Sequence, residues 1–185
     1  MDFKEKYDII LSEVHNACNA VKPEDVEELV KAIIDSRKVF LIGVGRVALS
    51  LMAFTKRLNH LGISAFFVGE LNEPAITNND LLIVGSGSGE SAIPLQITRI
   101  AKSYNARIAH IGSSPESCMK QYTDLFIRVP VRTKFALPDE LPSQQIMTSL
   151  FEQSLYVICD CIAMMICEEK KLDMAALWQY HANLE

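Results

Sequence analysis

Leu81-Leu-Ile-Val-Gly-Ser-Gly-Ser-Gly-Glu-Ser91 is the segment from which the fold of this chain is most directly inferred. Its first four residues form a short apolar run, which predicts a buried strand. The run leads into a loop of alternating glycine and serine, and a helical pattern begins at Ala92. A buried strand followed by a glycine-rich loop and a helix is typical of an α/β fold, with the loop at the carboxyl end of a parallel strand.

Residues 85–91, called the serine loop below, have the chemistry of an anion site. Glycines let the backbone approach a ligand closely, and a helix start supplies unpaired N–H groups at the positive end of its dipole. Ser86, Ser88 and Ser91 add hydroxyl donors, and Gly87 adds an accessible amide. No Gly-Lys-Ser/Thr ending follows, which excludes a nucleoside-triphosphate loop of the Walker type. The loop therefore predicts a site for a small phosphomonoester; the alternative is a serine-rich turn that caps the helix.

Apolar runs that fit buried strands recur along the chain, with helical patterns between them. The four further runs cover residues 38–42, 64–68, 107–111 and 124–129. The helical patterns cover residues 3–20, 23–36, 47–61, 92–103, 115–121, 144–169 and 173–181. Strands that alternate with helices predict a five-stranded, mostly parallel sheet covered on both faces.

A single domain is expected, because 185 residues of which 49% are hydrophobic suit one core. It divides into N-terminal helices, an α/β core and C-terminal helices, at residues 1–36, 37–130 and 143–185. The pattern at 144–169 is apolar on several faces, so this helix is either deeply buried or packed against another subunit. We expect a homo-oligomer for that reason.

Composition excludes several classes of partner. The net charge is −5 and no dense run of Lys and Arg occurs, which argues against a nucleic-acid surface. We expect no apolar stretch of membrane-spanning length, and Met1-Asp-Phe-Lys-Glu-Lys6 lacks a signal-peptide pattern, so a cytoplasmic protein is predicted. The five cysteines include no Cys-x-x-Cys pair, which favours reduced thiols over a metal site.

A second glycine loop, Gly43-Val-Gly-Arg-Val-Ala48, follows the first predicted strand. It matches the dinucleotide fingerprint Gly-x-Gly-x-x-Ala, and Glu70 stands where a ribose-binding acid is expected. That interpretation leaves the serine loop unexplained, whereas a ligand lying between the two loops uses both. Gly45 and Arg46 are then candidate binding residues, with the Arg46 guanidinium on a phosphate or a sugar hydroxyl. The alternative for Arg46 is a surface or interface salt bridge.

Three further side chains are candidates for proton transfer. Glu152 lies among large apolar residues early in the long helix, where a carboxylate suits a general base; a solvated carboxylate is the alternative. His60 stands near a predicted helix end, where a histidine often interacts only with the helix dipole. His181 lies in the C-terminal tail, which either frays or reaches a neighbouring subunit.

Six segments, in order along the chain, match one known family. They are Gly43-Val-Gly-Arg46, Arg57-Leu-Asn-His-Leu-Gly62, Val68-Gly-Glu70, Gly85-Ser-Gly-Ser-Gly-Glu90, Ser149-Leu-Phe-Glu-Gln153 and His181-Ala-Asn-Leu184. On these segments the chain resembles the sugar isomerase (SIS) domain family and, within it, the 6-phospho-3-hexuloisomerase branch. The resemblance implies a three-layer α/β/α sandwich around a flavodoxin-like, doubly wound sheet. It also implies a homotetramer with active sites at subunit interfaces.

The activity implied by the resemblance is the interconversion of 3-hexulose 6-phosphate and fructose 6-phosphate through an enediol. This is a step of the ribulose monophosphate pathway of formaldehyde fixation, and it needs no metal or organic cofactor. Glu152 would be the base. His60 is the first candidate for the second proton-transfer group, and His181 from another subunit is the second. The phosphate would lie on the serine loop.

The chain departs from the family pattern at three places. Val47 replaces the usual serine after Gly-x-Gly-Arg, and Ile146 and Thr148 replace a proline and a glycine before the Ser-Leu-Phe-Glu segment. Ser91 replaces the usual threonine but keeps its hydroxyl. Two alternatives therefore stay open: an isomerase of another sugar phosphate, and a non-catalytic sugar-phosphate sensor. A sensor usually carries a DNA-binding segment, and residues 1–36 lack a basic recognition face.

Overall fold

A five-stranded parallel sheet forms the centre of the computed structural model, which describes residues 2–184. The strands are β1 (Val39–Ile42), β2 (Ala65–Phe67), β3 (Leu81–Gly85), β4 (Arg107–Gly112) and β5 (Leu125–Arg128). They pair in the order β2-β1-β3-β4-β5, and every pair is parallel. This is the flavodoxin-like, doubly wound order, so the prediction of fold class is confirmed.

Within residues 2–184, five α-helices surround the sheet. They are α1 (Phe3–Asn19), α2 (Pro23–Asp35), α3 (Gly45–His60), α4 (Ala92–Ser103) and α5 (Ser149–Glu169). The two short helices predicted near 115–121 and 173–181 are only 3₁₀ turns, at Lys120–Tyr122 and Ala176–Tyr180. The predicted start of the long helix at residue 144 is wrong, because Met147 has a φ of 56°. That left-handed conformation cannot continue an α-helix.

The sheet has a separate apolar core on each face, because alternate residues of a strand point to opposite sides. Val39 and Leu41 of β1 belong to the core under α2, α3 and α5, whereas Phe40 and Ile42 belong to the core under α4. Helices on both faces make the three layers that the resemblance implies. The crossovers β1-α3-β2 and β3-α4-β4 thus lie on opposite faces, so the loops after β1 and β3 diverge and leave a crevice between them.

Helix α5 corrects one expectation from composition. This helix has 21 residues, and its 18-residue apolar stretch has a mean hydropathy of 1.6, so it is long and apolar enough to cross a membrane by length and composition alone. The expectation that no stretch reaches this length is therefore wrong. Within the fold, however, 56% of this apolar stretch is buried. Leu155 and Ile162 are fully buried against the rest of the core, as in the core helix of a globular protein.

Candidate active site

A cavity of about 320 Å³ lies at the carboxyl edge of the sheet. It is bounded by residues 44–47 after β1, by residues 85–88 and 91 after β3, and by the first turn of α5. In open α/β sheets, ligands bind at this point, where the strand order reverses. The structure thus brings both glycine loops to one cavity, as the sequence predicts for a ligand lying between them.

The serine loop is closed by its own hydrogen bonds. The N–H of Gly89 donates to the Ser86 hydroxyl at 3.1 Å and to the Ser86 carbonyl at 3.2 Å. Gly89 has a φ of 66°, which glycine adopts without strain. Ser91 is the N-cap residue of α4 but makes no side-chain capping bond; its hydroxyl lies 3.3 Å from that of Ser86. This geometry favours the anion site over the alternative of a helix-capping turn, because the hydroxyls gather at the helix start instead of closing it.

His110 supports this loop from beneath, a role that the sequence did not reveal. Its Nε2 lies 2.9 Å from the Ser86 carbonyl oxygen, and because that oxygen only accepts, Nε2 carries the hydrogen. The ring is 1% exposed and packs on Phe126 with 5.1 Å between centroids. Burial lowers the pKa of His110 to about 4, although the bond to Ser86 acts in the opposite direction. The imidazole is therefore neutral near pH 7 and serves as a buried donor.

Glu152 faces the same cavity and is held by two donors. Its side chain is only 9% exposed. Oε1 accepts a hydrogen bond from the Thr148 hydroxyl at 3.0 Å, and Oε2 accepts one from Arg46 Nε. The Ser50 hydroxyl donates to the Glu152 carbonyl at 3.0 Å, which ties α3 to α5 at this point. The carboxylate is thus oriented from both sides, with Arg46 on one oxygen and Thr148 on the other.

His60 and His181 lie elsewhere in the chain. Arg46 is the second residue of α3 and His60 is its last, so a rise of about 1.5 Å per residue puts the two about 21 Å apart along the helix. The rings of His60 and His181 stack with 5.3 Å between centroids, beside Trp178. They line a different cavity, of about 180 Å³. The structure therefore brings the two histidines together, but not to Glu152 of the same chain.

Four lining residues were missed by the sequence analysis: Thr133, Lys134, Thr148 and Phe151. In the sequence, Thr148 stands out only as a departure from the family pattern. In the structure, its hydroxyl donates a hydrogen bond to Glu152. Thr133 and Lys134 come from a stretch with no strand or helix periodicity, so no local signal pointed to them. Phe151 belongs to the apolar pattern of α5, which indicated only a core position.

Val47 occupies the space where a hydroxyl was expected. It lines the cavity, and a Cβ added at Gly85 would meet its Cγ1 at 2.8 Å. The side chain therefore packs over the end of β3, and the hydroxyl donors of the cavity come from the serine loop and from the threonines at 133 and 148.

Metal-ligating side chains do not cluster in the part of the chain that the structure describes: residues 2–184 contain no group of three or more His, Cys, Asp or Glu placed to hold a metal ion. Cys159 is buried and Cys161 is exposed, on different sides of α5. Burial raises the pKa of the Cys159 thiol well above its usual range, which makes it an inert core group.

Comparison with known proteins places the chain in a family. The model of the SIS domain family matches residues 32–154. The chain is similar to a 3-hexulose-6-phosphate isomerase of Bacillus subtilis (strain 168), with 36% identity over 95% of each chain. It is similar to a solved Methanococcus jannaschii protein whose structure "infers a molecular function of 3-hexulose-6-phosphate isomerase", with a TM-score of 0.83, 29% identity and coverage of 98% and 99%.

A more distant solved structure shares the fold alone. It is a phosphoheptose isomerase from Francisella tularensis, with a TM-score of 0.67, 15% identity and coverage of 89% of this chain and 96% of that one. The family match covers both glycine loops and Glu152, the residues that meet in the cavity. On sequence and fold together, this chain belongs to the SIS domain family.

Proposed function

We propose that this protein is an isomerase that interconverts 3-hexulose 6-phosphate and fructose 6-phosphate. One observation carries the proposal: a buried carboxylate, oriented by Arg46 and Thr148, faces the same cavity as the serine loop, whose hydroxyls and amides suit a phosphate. Similarity to relatives of this name, over nearly the whole of both chains, supports the choice of substrate.

The reaction moves a carbonyl between C3 and C2, and one carboxylate suffices for the carbon chemistry. Glu152 takes the proton from C2, the electrons of that C–H bond form the C2=C3 double bond, and the C3 oxygen gains a proton. The resulting enediol then takes the proton back from Glu152 at C3, while the C2 hydroxyl loses its proton and becomes the carbonyl. The hydrogen bonds to both Glu152 oxygens hold the carboxylate in place for both transfers.

The C6 phosphate would anchor the substrate on the serine loop. Ser86, Ser88 and Ser91 offer hydroxyls, Gly87 offers its amide, and the start of α4 adds the positive end of its dipole. Binding at this remote group positions the reacting carbons near Glu152. Because O6 carries the phosphate, the 3-keto sugar cannot close its usual furanose ring, so that substrate needs no ring-opening residue.

A second subunit would complete the site as a shared one. Leu49 is 65% exposed and Tyr156 is 48% exposed, and both line a cavity on the outer side of Glu152. Such large apolar side chains beside a buried carboxylate favour cover by another copy of the chain. We therefore propose a homotetramer in which His60 or His181 of the partner subunit transfers protons to and from the oxygen atoms of the substrate. A partner is needed because neither histidine reaches Glu152 within one chain. The ribulose monophosphate pathway and a cytoplasmic location stay predictions from the resemblance.

Glu152→Gln tests the assignment of the base. The amide keeps the size of the side chain but cannot accept a proton, so we expect kcat to fall by about 10²- to 10⁴-fold. Binding of fructose 6-phosphate should stay within a few-fold of wild type. Activity is followed as fructose 6-phosphate formed from 3-hexulose 6-phosphate, and binding by calorimetry. Glu169→Gln, an exposed position on the same helix, is the matched control.

Near-normal turnover by the Glu152→Gln protein would disprove the role of Glu152. A wild-type protein that binds fructose 6-phosphate without turnover would favour the sensor instead. The mass of the protein in solution tests the shared site, because a fully active monomer is incompatible with a histidine from a partner.

A further inference from the structure

The segment of residues 133–140 is fastened to the edge of the cavity by one buried carboxylate. Glu140 is 8% exposed and accepts hydrogen bonds from the Thr133 N–H at 3.0 Å, the Thr133 hydroxyl at 2.9 Å and the Leu137 N–H at 2.9 Å. The hydroxyl of Ser113, just beyond β4, lies 3.0 Å from the same carboxylate. Glu140 therefore closes the segment into a fixed turn, with both of its oxygens engaged.

The turn lies directly over the serine loop. A Cβ added at Gly87 would meet the Thr133 methyl group at 3.5 Å, which is ordinary van der Waals contact. The loop is also joined to the end of β4, because the N–H groups of Ser113 and Ser114 donate to the Gly87 carbonyl at 2.8 and 3.1 Å. Lys134, the next residue after Thr133, thereby becomes part of the cavity wall.

Of the residues that the structure describes, two cations line this cavity, and only one of them takes part in an ion pair. Arg46 is bound to Glu152. Lys134 takes part in none of the ion pairs found among residues 2–184; its ammonium lies 5.1 Å from the centroid of the Phe135 ring. Hydrogen bonds from Cys118 and the charge of Lys134 lower the pKa of Glu90, a carboxyl of the serine loop. Unlike Arg46, Lys134 is therefore not held by Glu152, and its ammonium is the better placed of the two cations to pair with a bound anion.

A phosphomonoester bound on the serine loop needs such a charge. It carries about −1.5 to −2 at pH 7, while a helix N-terminus offers roughly half a positive charge. The hydroxyls and amides of the loop are neutral donors. A lysine ammonium acts as a point charge on phosphate and reaches it on a flexible stem.

We propose that Lys134 binds the substrate phosphate, and that Glu140 is a positioning residue that holds Lys134 over the serine loop. This inference rests on the proposed placement of the phosphate. It assigns the phosphate charge to a residue outside both glycine loops, and it gives the irregular segment after β5 a function.

Lys134→Met removes the charge and keeps most of the side-chain length. We expect the dissociation constant for inorganic phosphate, and the KM for 3-hexulose 6-phosphate, to rise about 10- to 100-fold. The kcat should change less than threefold, and Lys134→Arg should recover part of the loss. The salt dependence of phosphate binding should also weaken, because one fewer cation takes part. Lys31→Met, at an exposed position of α2, is the control and should match wild type.

Phosphate affinity equal to that of the control would overturn the proposal, and so would a loss confined to kcat. Titration with inorganic phosphate needs no turnover. It therefore tests Lys134 even if the protein fails to isomerise 3-hexulose 6-phosphate, a result that would count against the proposed function instead.

Glu140→Gln tests the positioning role. We expect phosphate affinity to fall in the wild-type background and to change less than twofold in the Lys134→Met background, because Glu140 acts through Lys134. An equal loss in both backgrounds would mean that Glu140 only maintains the fold near the loop. If Glu140→Gln proves insoluble, Glu140→Asp keeps the charge at a shorter reach and allows the same comparison.

Discussion

His110 should make the stability of this protein fall as the solution is acidified from about pH 6.5 towards pH 4. Its folded-state pKa is about 4, against about 6.5 for an unperturbed histidine. Between these values the unfolded chain binds a proton that the folded chain excludes. Stability therefore rises with pH across this window and is fully present above pH 6.5. A difference of about 2.5 pKa units corresponds to about 3 kcal/mol lost by pH 4.

The assay is urea unfolding at several pH values between 4 and 7, at one protein concentration because association shifts apparent stability. His110→Gln keeps an amide donor for the Ser86 carbonyl but does not titrate. We expect this variant to lose up to about 3 kcal/mol less than wild type on going from pH 7 to pH 4. His15→Gln, at an exposed position on α1, is the control and should follow wild type.

The comparison between variants isolates His110 from the carboxylates that also titrate towards pH 4, because these are common to all three proteins. Glu116, Lys120 and Asp124 line the cavity next to the His110 ring and are unchanged in each variant. Equal acid sensitivity of His110→Gln and wild type would refute the reasoning. It would mean that the imidazole takes up its proton over the same pH range in the folded and the unfolded protein.

Two further predictions concern a buried carboxylate and a glycine. Changing Asp80, whose side chain is fully buried, to Ala should cost about 3 kcal/mol of unfolding free energy, since it removes the charged acceptor of the hydrogen bonds from Arg37 and Thr77. Asp139→Ala, in an exposed ion pair, should cost under about 1 kcal/mol in the same urea experiment, and equal losses would contradict this. Gly89→Ala should weaken phosphate binding at least about 10-fold in calorimetry, because its new Cβ would collide with the Ser117 hydroxyl at a φ of 66°. Ser117→Gly in the same chain should recover part of that loss; unchanged binding by Gly89→Ala alone would show that the serine loop is not the site.

Local patterns in the sequence were sufficient to predict the strands and the two glycine loops. Each strand lies within a residue or two of its predicted bounds, because a parallel strand buried on both faces is a short apolar run in sequence. Glycine and serine after β3 indicated an anion site because their chemistry is local to the loop. The ends of the helices were predicted less accurately. Residue 147, before α5, has a left-handed backbone conformation, but it is a methionine, so no glycine marks the position in the sequence.

The partners of the site residues could not be read from sequence. Arg46 and Glu152 are 106 residues apart in the chain, and each was singled out alone, with a different role. Glu140 and Lys134 were not singled out at all, because the stretch around them has no periodicity. His60 and His181 were each candidates for the reaction, and only the structure places them beside each other and away from Glu152.

Residue types within short windows were enough to predict the order of strands and helices along the chain, the serine loop and the resemblance to the family. Which charged groups meet became clear only from the three-dimensional packing. It paired Arg46 with Glu152, set His110 under the loop and brought Lys134 to the cavity wall. A salt bridge or a buried hydrogen bond depends on distances of a few ångströms. Those distances are set by the packing of helices on the sheet, which no local pattern contains.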